Sequence, residues 1–271
     1  MMQKMAIHSV PRSGSTWLGN IFNSHPDVSF KYQPLFSYAF KDFLTDSSSA
    51  KVIQNFFDLI HASEDDFINQ KEGIDKGIIP NFEKNSKSTH ICYKEVRYHH
   101  ILENLLSERN EVKVILLVRN PLAVLYSWKN APKEFRSEKG WQFEEEWLNA
   151  PLKNQGRPEE FNGYSKWKEA TLLFLNLKER FPEQVFLLTY SQLISDTEKV
   201  VKELFSFSNL SIDPQTESFL KESRSKHQKN AYSIFKVKKQ DNAWKQLPAE
   251  IISFVKKDLK DSSLETFLHE A

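Results

Sequence analysis

The sequence has one cysteine, Cys92, among 271 residues, which excludes an intrachain disulfide and fits a reducing compartment. Long apolar runs are missing: Val114–Val118 is far too short to span a bilayer, and no secretory signal precedes the first predicted strand. These absences together predict a cytoplasmic protein with no membrane span. An excess of either charge is also missing. With 37 basic and 36 acidic residues the formal net charge is +1, so nothing draws the whole chain to nucleic acid or an anionic membrane. Any anion site must therefore be local. Glycine is scarce, at seven residues, and neither G-x-x-x-x-G-K-[ST] nor G-x-G-x-x-G occurs. The histidines lack metal-ligand spacing, so no metal site is expected, and no repeat of solenoid length is present.

What is present is a hydrophobic content of 39%, enough for a substantial core, arranged as alternating strand and helix patterns. Strands are predicted at Ala6–Val10, Asp27–Lys31, Thr89–Val96, Val112–Val118 and Val185–Thr189. Val112–Val118 is nearly continuous and apolar, as a strand buried on both faces should be. Between them fall helical stripes: Val52, Ile53, Phe56, Phe57 and Ile60; Ile101–Arg109; and Trp167, Ala170, Phe174 and Leu177. Asn120 before Pro121, Ser195-x-x-Glu198, Asp213-Pro214 and Pro248–Lys260 mark further helices. The fold class is α/β: a P-loop-like, mostly parallel sheet flanked by helices on both faces. Ligands of such sheets bind beyond the carboxyl ends of the strands.

The stretch Ala6–Gly19 runs from strand through a tight polar turn, Pro11-Arg12-Ser13-Gly14, into a helix beginning at Ser15 and stopped by His25-Pro26. That order aims backbone N–H groups and a helix N-terminus at an anion. Ser13, Ser15 and Thr16 add hydroxyl donors, Gly14 permits close approach, and Arg12 sets a permanent positive charge at the mouth. A plain capped turn would look much the same, so a second site matters. Arg119 ends the strand Val112–Val118, and Ser127 follows eight residues later on the next helix. Eight residues exceed two turns, so the two converge only if that helix folds back across the strand ends. An Arg fork with a hydroxyl suits a phosphate monoester.

P-R-S-G-S-T-W-L at 11–18 resembles the 5′-phosphosulfate loop of sulfotransferases that use PAPS, the 3′-phosphorylated nucleotide sulfate donor. Val118-Arg119-Asn120-Pro121 through Tyr126-Ser127 resembles that family's 3′-phosphate motif, with Asn120 in place of the usual acidic residue. Phe186–Leu193 resembles its strand ending in a tyrosine, here Tyr190, that reaches the adenine. Lys238 and Lys239, ahead of Trp244-Lys245, stand where the family has a basic segment over the 3′-phosphate. Ser24-His25-Pro26-Asp27-Val28 is similar to carbohydrate and tyrosylprotein members. The resemblance runs from residue 6 to about 260 and implies a single domain over 1–271, with insertions at 71–88, a polar stretch that reads as a surface loop or lid, and at 132–158, which reads as irregular.

It also implies PAPS as donor, PAP as product, no metal, and a carbohydrate or other small-molecule alcohol as acceptor. Arg12 would stabilise the leaving nucleotide. Trp17 matches an adenine-stacking aromatic, although a core tryptophan fits that place as well. Gln33 stands where some members have a catalytic Glu, and it cannot take a proton. In Cys92–Arg97, Lys94 matches a transition-state lysine, which leaves Glu95 as the candidate base unless it pairs with Arg97. His99 and His100 are the alternatives, against a plain surface-helix reading. Tyr32, Phe36 and Tyr38 fit either a substrate pocket or core, and Trp141 and Trp147 would suit a sugar or an aromatic alcohol. Two rival functions stand beside transfer: a nucleotide kinase with a divergent phosphate loop, and a non-catalytic nucleotide-binding member.

Overall fold

The structure is a computed structural model, and it describes residues 2–226, 234 and 242–268. Five strands, β1 (Gln3–His8), β2 (Val28–Tyr32), β3 (His90–Glu95), β4 (Lys113–Val118) and β5 (Val185–Thr189), form one sheet in the order β2-β3-β1-β4-β5. Every neighbouring pair is parallel. β1 starts three residues before its predicted place because Gln3 and Lys4 pair with His90 and Ile91, while the Lys4 ammonium folds onto Glu111 at 3.0 Å.

Two-residue alternation sends successive side chains to opposite faces. Val114, Leu116 and Val118 of β4 join one core with Ile91, Tyr93 and helix Tyr164–Arg180, whereas Ile115 and Leu117 join another with Met5, Ile7 and α1 (Ser15–Asn23). Both faces of the sheet are thus covered by helices. The stripe on α2 (Ala50–Ala62) is Ile53, Phe56, Phe57 and Ile60; Val52 turns outward to solvent, one position off that face.

Three expectations change. Residues 71–88, expected as a surface loop or lid, contain a short helix Lys71–Asp75 and pack against the segment that leads from α1 into β2. Lys84 Nζ donates to the carbonyls of Asn23, His25 and Val28, where it caps α1, and Phe82 meets Phe219 edge-on at 5.2 Å. Residues 132–158, expected as irregular, drive Phe135 and Phe143 into the core against Trp128 and form the short helices Phe143–Glu146 and Pro151–Asn154. The expected capping box at Ser195 is absent. Asp196 caps helix Thr197–Phe207 through Lys199 N–H, and the box sits at Thr189 and Gln192, where β5 turns directly into helix Tyr190–Ser195.

Asn120 caps helix Pro121–Lys129 as expected, accepting from the N–H groups of Leu122 and Ala123 while its amide donates to Leu268 O. Replacing it with alanine removes all three contacts. Asn120→Ala should destabilise the chain by about 1–2 kcal/mol in urea unfolding, with an unchanged m-value.

Candidate active site

β1 and β4 are neighbours whose outgoing connections lead to opposite ends of the sheet, β1 toward β2 and β4 toward β5. A crevice opens between their carboxyl ends, which is where ligands of such sheets sit. The turn 11–14 and Arg119 both emerge there.

The turn is built on two left-handed residues, Arg12 (φ 70°) and Gly14 (φ 94°). At Gly14 a glycine is required twice over. Its φ disfavours a side chain, and a Cβ would lie 2.6 Å from Tyr190 Cε2. Gly14 caps α1 without a side-chain bond, so the first-turn N–H groups stay aimed into the crevice. Ser13 is fully buried, and its Oγ has no hydrogen-bond partner among the described residues. A buried hydroxyl left without a partner costs free energy that a phosphate oxygen in the turn would relieve. Ser15 is buried beside it, and Thr16 is half-buried at the mouth.

The second anion motif reaches the same place. Arg119 Nη1 donates to the Arg12 carbonyl at 2.6 Å, and Arg12 Nε donates to Ser127 Oγ at 3.2 Å. The helix does fold back across the strand ends, bringing residue 127 to the turn. The Arg119 guanidinium lies 4.7 Å from the centre of the Tyr190 ring, which also abuts Gly14. Trp167 Nε1 holds the Arg119 carbonyl at 3.0 Å from below. Arg12, Ser13, Gly14, Arg119, Ser127 and Tyr190 therefore form one constellation. Trp17 is 2% exposed and packs in the α1-side core, with Nε1 donating to Ser223 Oγ at 3.1 Å; the structure gives it the core place. Lys238 and Lys239 lie outside the described residues.

At the carboxyl end of β3, Lys94 and Glu95 are both fully buried on opposite faces of the strand. Burial pushes the Lys94 ammonium down from its usual value, opposed by Glu95 and reinforced by Arg97. Burial pushes the Glu95 carboxyl up, opposed by Lys94 and Arg97. Lys94 Nζ lies 4.5 Å from the Tyr32 ring centre. Glu95 Oε1 accepts from Leu35 N–H at 2.8 Å, and Oε2 is buried without a partner among the described residues. The possible Glu95–Arg97 pair does not form. Arg97 pairs instead with Glu160 at 3.1 Å, donates to Gln33 Oε1 at 3.0 Å, and stacks on Phe36 at 4.0 Å.

His99 is not the surface-helix residue of the plain reading: it is fully buried, with its ring 4.3 Å from Phe161 and its Nδ1 3.0 Å from His8 Nδ1. Burial and His8 drive its pKa well below the usual imidazole range. His100 is the exposed member of the pair. Sequence reasoning missed Glu134, whose carboxylate is a quarter exposed, pairs with Lys153 at 3.5 Å, and acts electrostatically on Tyr32, Lys94 and Arg97. It comes from 132–158, where no motif marked it. Among the described residues no three His, Cys, Asp or Glu side chains group to hold a metal, and no helix is long and apolar enough to cross a membrane.

The glycine turn, the second arginine and the parallel sheet define an α/β protein with two cationic motifs at one crevice. The sulfotransferase domain model matches residues 3–268, and the chain belongs to the sulfotransferase family of PAPS-dependent transferases. Among solved structures it is similar to mouse sulfotransferase SULT7A1 complexed with PAP, at 13% identity and a TM-score of 0.53, covering 99% of this chain and 88% of that one. It is also similar to retinol dehydratase in complex with androsterone and PAP, at 14% identity and a TM-score of 0.55, covering 97% and 82%. Likeness at this identity establishes the fold. No curated protein matches the sequence.

The buried histidines give a pH prediction. His8 is held neutral, its pKa lowered to about 3 by burial, Lys94 and His100, whereas the unfolded imidazole titrates near 6.5. Between those values the unfolded chain binds more protons, so stability must fall as pH drops, by up to about 1.4 kcal/mol per pH unit per histidine. Urea unfolding at pH 7 and pH 5 should show that loss, and His8→Gln should make the slope shallower.

Proposed function

We propose that this chain transfers a sulfuryl group from PAPS to the hydroxyl of a carbohydrate or other alcohol. The observation that carries the reading is the direct contact between the two anion motifs: Arg119 on the Arg12 carbonyl and Arg12 on Ser127. One nucleotide with phosphates at its 5′ and 3′ positions would meet the turn 12–16 with one end, and Arg119 and Ser127 with the other. Tyr190, beside Arg119, stands ready for the adenine.

In the proposed reaction the acceptor oxygen forms a bond to sulfur as the bond from sulfur to the bridging phosphate oxygen breaks. The electron pair of that bond leaves with the nucleotide, and the acceptor proton passes to a base. Arg12 stabilises the negative charge growing on the bridging oxygen without surrendering a proton. Lys94, on the same rim and electrostatically coupled to Arg12, adds charge there. Glu95 is the proposed base: burial raises its proton affinity, and Oε2 is uncommitted. The acceptor body has the half-exposed rings of Phe36 and Phe67, beside Tyr32, to pack on. A kinase reading is not favoured, because the phosphate turn holds no lysine.

Thermal-shift titration tests the donor. PAP should raise the melting temperature without magnesium, and magnesium–ATP should not; the reverse would return the kinase. Arg119→Ala should weaken PAP binding by about 1.5–3 kcal/mol, and Arg12→Ala should lower turnover more than binding. Release of labelled sulfate from PAPS onto an acceptor separates the enzyme from a non-catalytic binder. In that assay Glu95→Gln should abolish the acidic limb of the pH–rate profile, where activity falls as the base takes up its proton. Activity that survives Glu95→Gln and is lost in Glu134→Gln would move the base to the Glu134 carboxylate, a quarter exposed.

A further inference from the structure

A second cavity lies away from the rim, on the open edge of β2, with a volume of about 230 Å³. Its lining includes Phe30, Lys31, Gln70, Asn81 and Lys84. Lys31 is 5% exposed, and its Nζ donates to Ser63 O at 2.9 Å and Asn69 Oδ1 at 2.8 Å. Lys84 Nζ rests on the carbonyls of Asn23, His25 and Val28. Every one of these partners is a neutral oxygen, and neither ammonium has a carboxylate within salt-bridge distance among the described residues. Hydrogen bonding is satisfied while the charge is not. Asp65 offsets part of the Lys31 charge from beyond salt-bridge distance, and two cations drawn out of water into one polar cavity remain short of negative charge until an anion joins them.

The backbone supplies an independent donor. Val28 N–H bonds to His25 O and Tyr32 N–H to Ile68 O, both away from β3, while Gln33 N–H bonds to Lys94 of β3. Alternation along the strand then turns the N–H and C=O of Phe30 to the open edge, into the cavity that Phe30 lines. Neither the proposed reaction nor any motif of the sequence uses these groups.

We propose that this cavity binds a small oxyanion, a carboxylate or sulfate, between Lys31 and Lys84 with the Phe30 N–H as a further donor. Its volume admits such an ion with a few waters, and not a nucleotide. Occupancy would join the 69–84 segment to β2, the strand that delivers Tyr32 and Gln33 to the rim. The site is independent of the sulfuryl-transfer reading and stands or falls without it.

The test uses the full chain at constant ionic strength, titrated separately with sodium sulfate and sodium succinate while the backbone amide of Phe30 and the side-chain amides of Gln70 and Asn81 are followed by NMR. Saturable shifts at millimolar concentration with either anion are expected; whichever ion saturates at lower concentration identifies the source. Lys84→Met should weaken binding at least tenfold, and Asn81→Leu, an exposed lining position, covers the case in which Lys84→Met does not fold. Arg12→Ala should leave these shifts in place. Shifts that do not saturate, that persist in both lining variants, or that vanish in Arg12→Ala would overturn the proposal.

Discussion

The contact between Arg119 and the carbonyl of Arg12 ties the loop leaving β1 to the end of β4, and the geometry of the rim depends on it. A charge-assisted bond of this kind contributes about 1.5–3 kcal/mol, enough to offset the left-handed backbone at Arg12 that turns the carbonyl toward β4. The same bond keeps two guanidinium groups at one small mouth without setting them face to face, because one addresses the other's backbone while Arg12 reaches on to Ser127. Tyr190 completes the arrangement from β5, its ring against Gly14 on one side and beneath Arg119 on the other. Three strands thus meet through contacts that exist only because the sheet is parallel and presents all its carboxyl ends together.

Beyond β3 the chemistry rests on burial. Lys94 and Glu95 occupy adjacent positions on opposite faces, and withdrawal from water moves their proton affinities toward each other from opposite directions. Both groups therefore titrate closer to neutral pH than they would in water. Arg97, which could have quenched Glu95, is occupied by Glu160 and Gln33, so Gln33 serves as an anchor for the arginine. The histidine pair beneath the turn, His8 and His99, stays neutral and shares one bond in the core.

Much of this was legible in the residues. The five strands follow from apolar runs bounded by turn formers, and Asn120-Pro121 marked a helix start because both residue types have one favoured role there. The turn at 11–14 and Arg119 could be read because anion binding demands particular atoms at particular places. Interior histidines could not: His99 and His100 are identical in sequence terms, and only the packing of Phe161 and Phe174 decides which one is buried. Glu134 and the interior role of Phe135 and Phe143 were hidden for a related reason. They belong to 132–158, where contact with Trp128 places the two phenylalanines and pairing with Lys153 places Glu134, not local periodicity. The choice of Asp196 over Ser195 as a cap likewise turned on where β5 ends.

The central claim, that the turn at Arg12 and the fork at Arg119 hold two ends of one nucleotide, is tested most directly by a crystal structure of the chain with PAP. The account predicts the 5′-phosphate within hydrogen-bond reach of Ser13 Oγ and the amides of residues 13–16, and the 3′-phosphate on Arg119 and Ser127. A nucleotide bound elsewhere, or one touching only one of the two arginines, would contradict it.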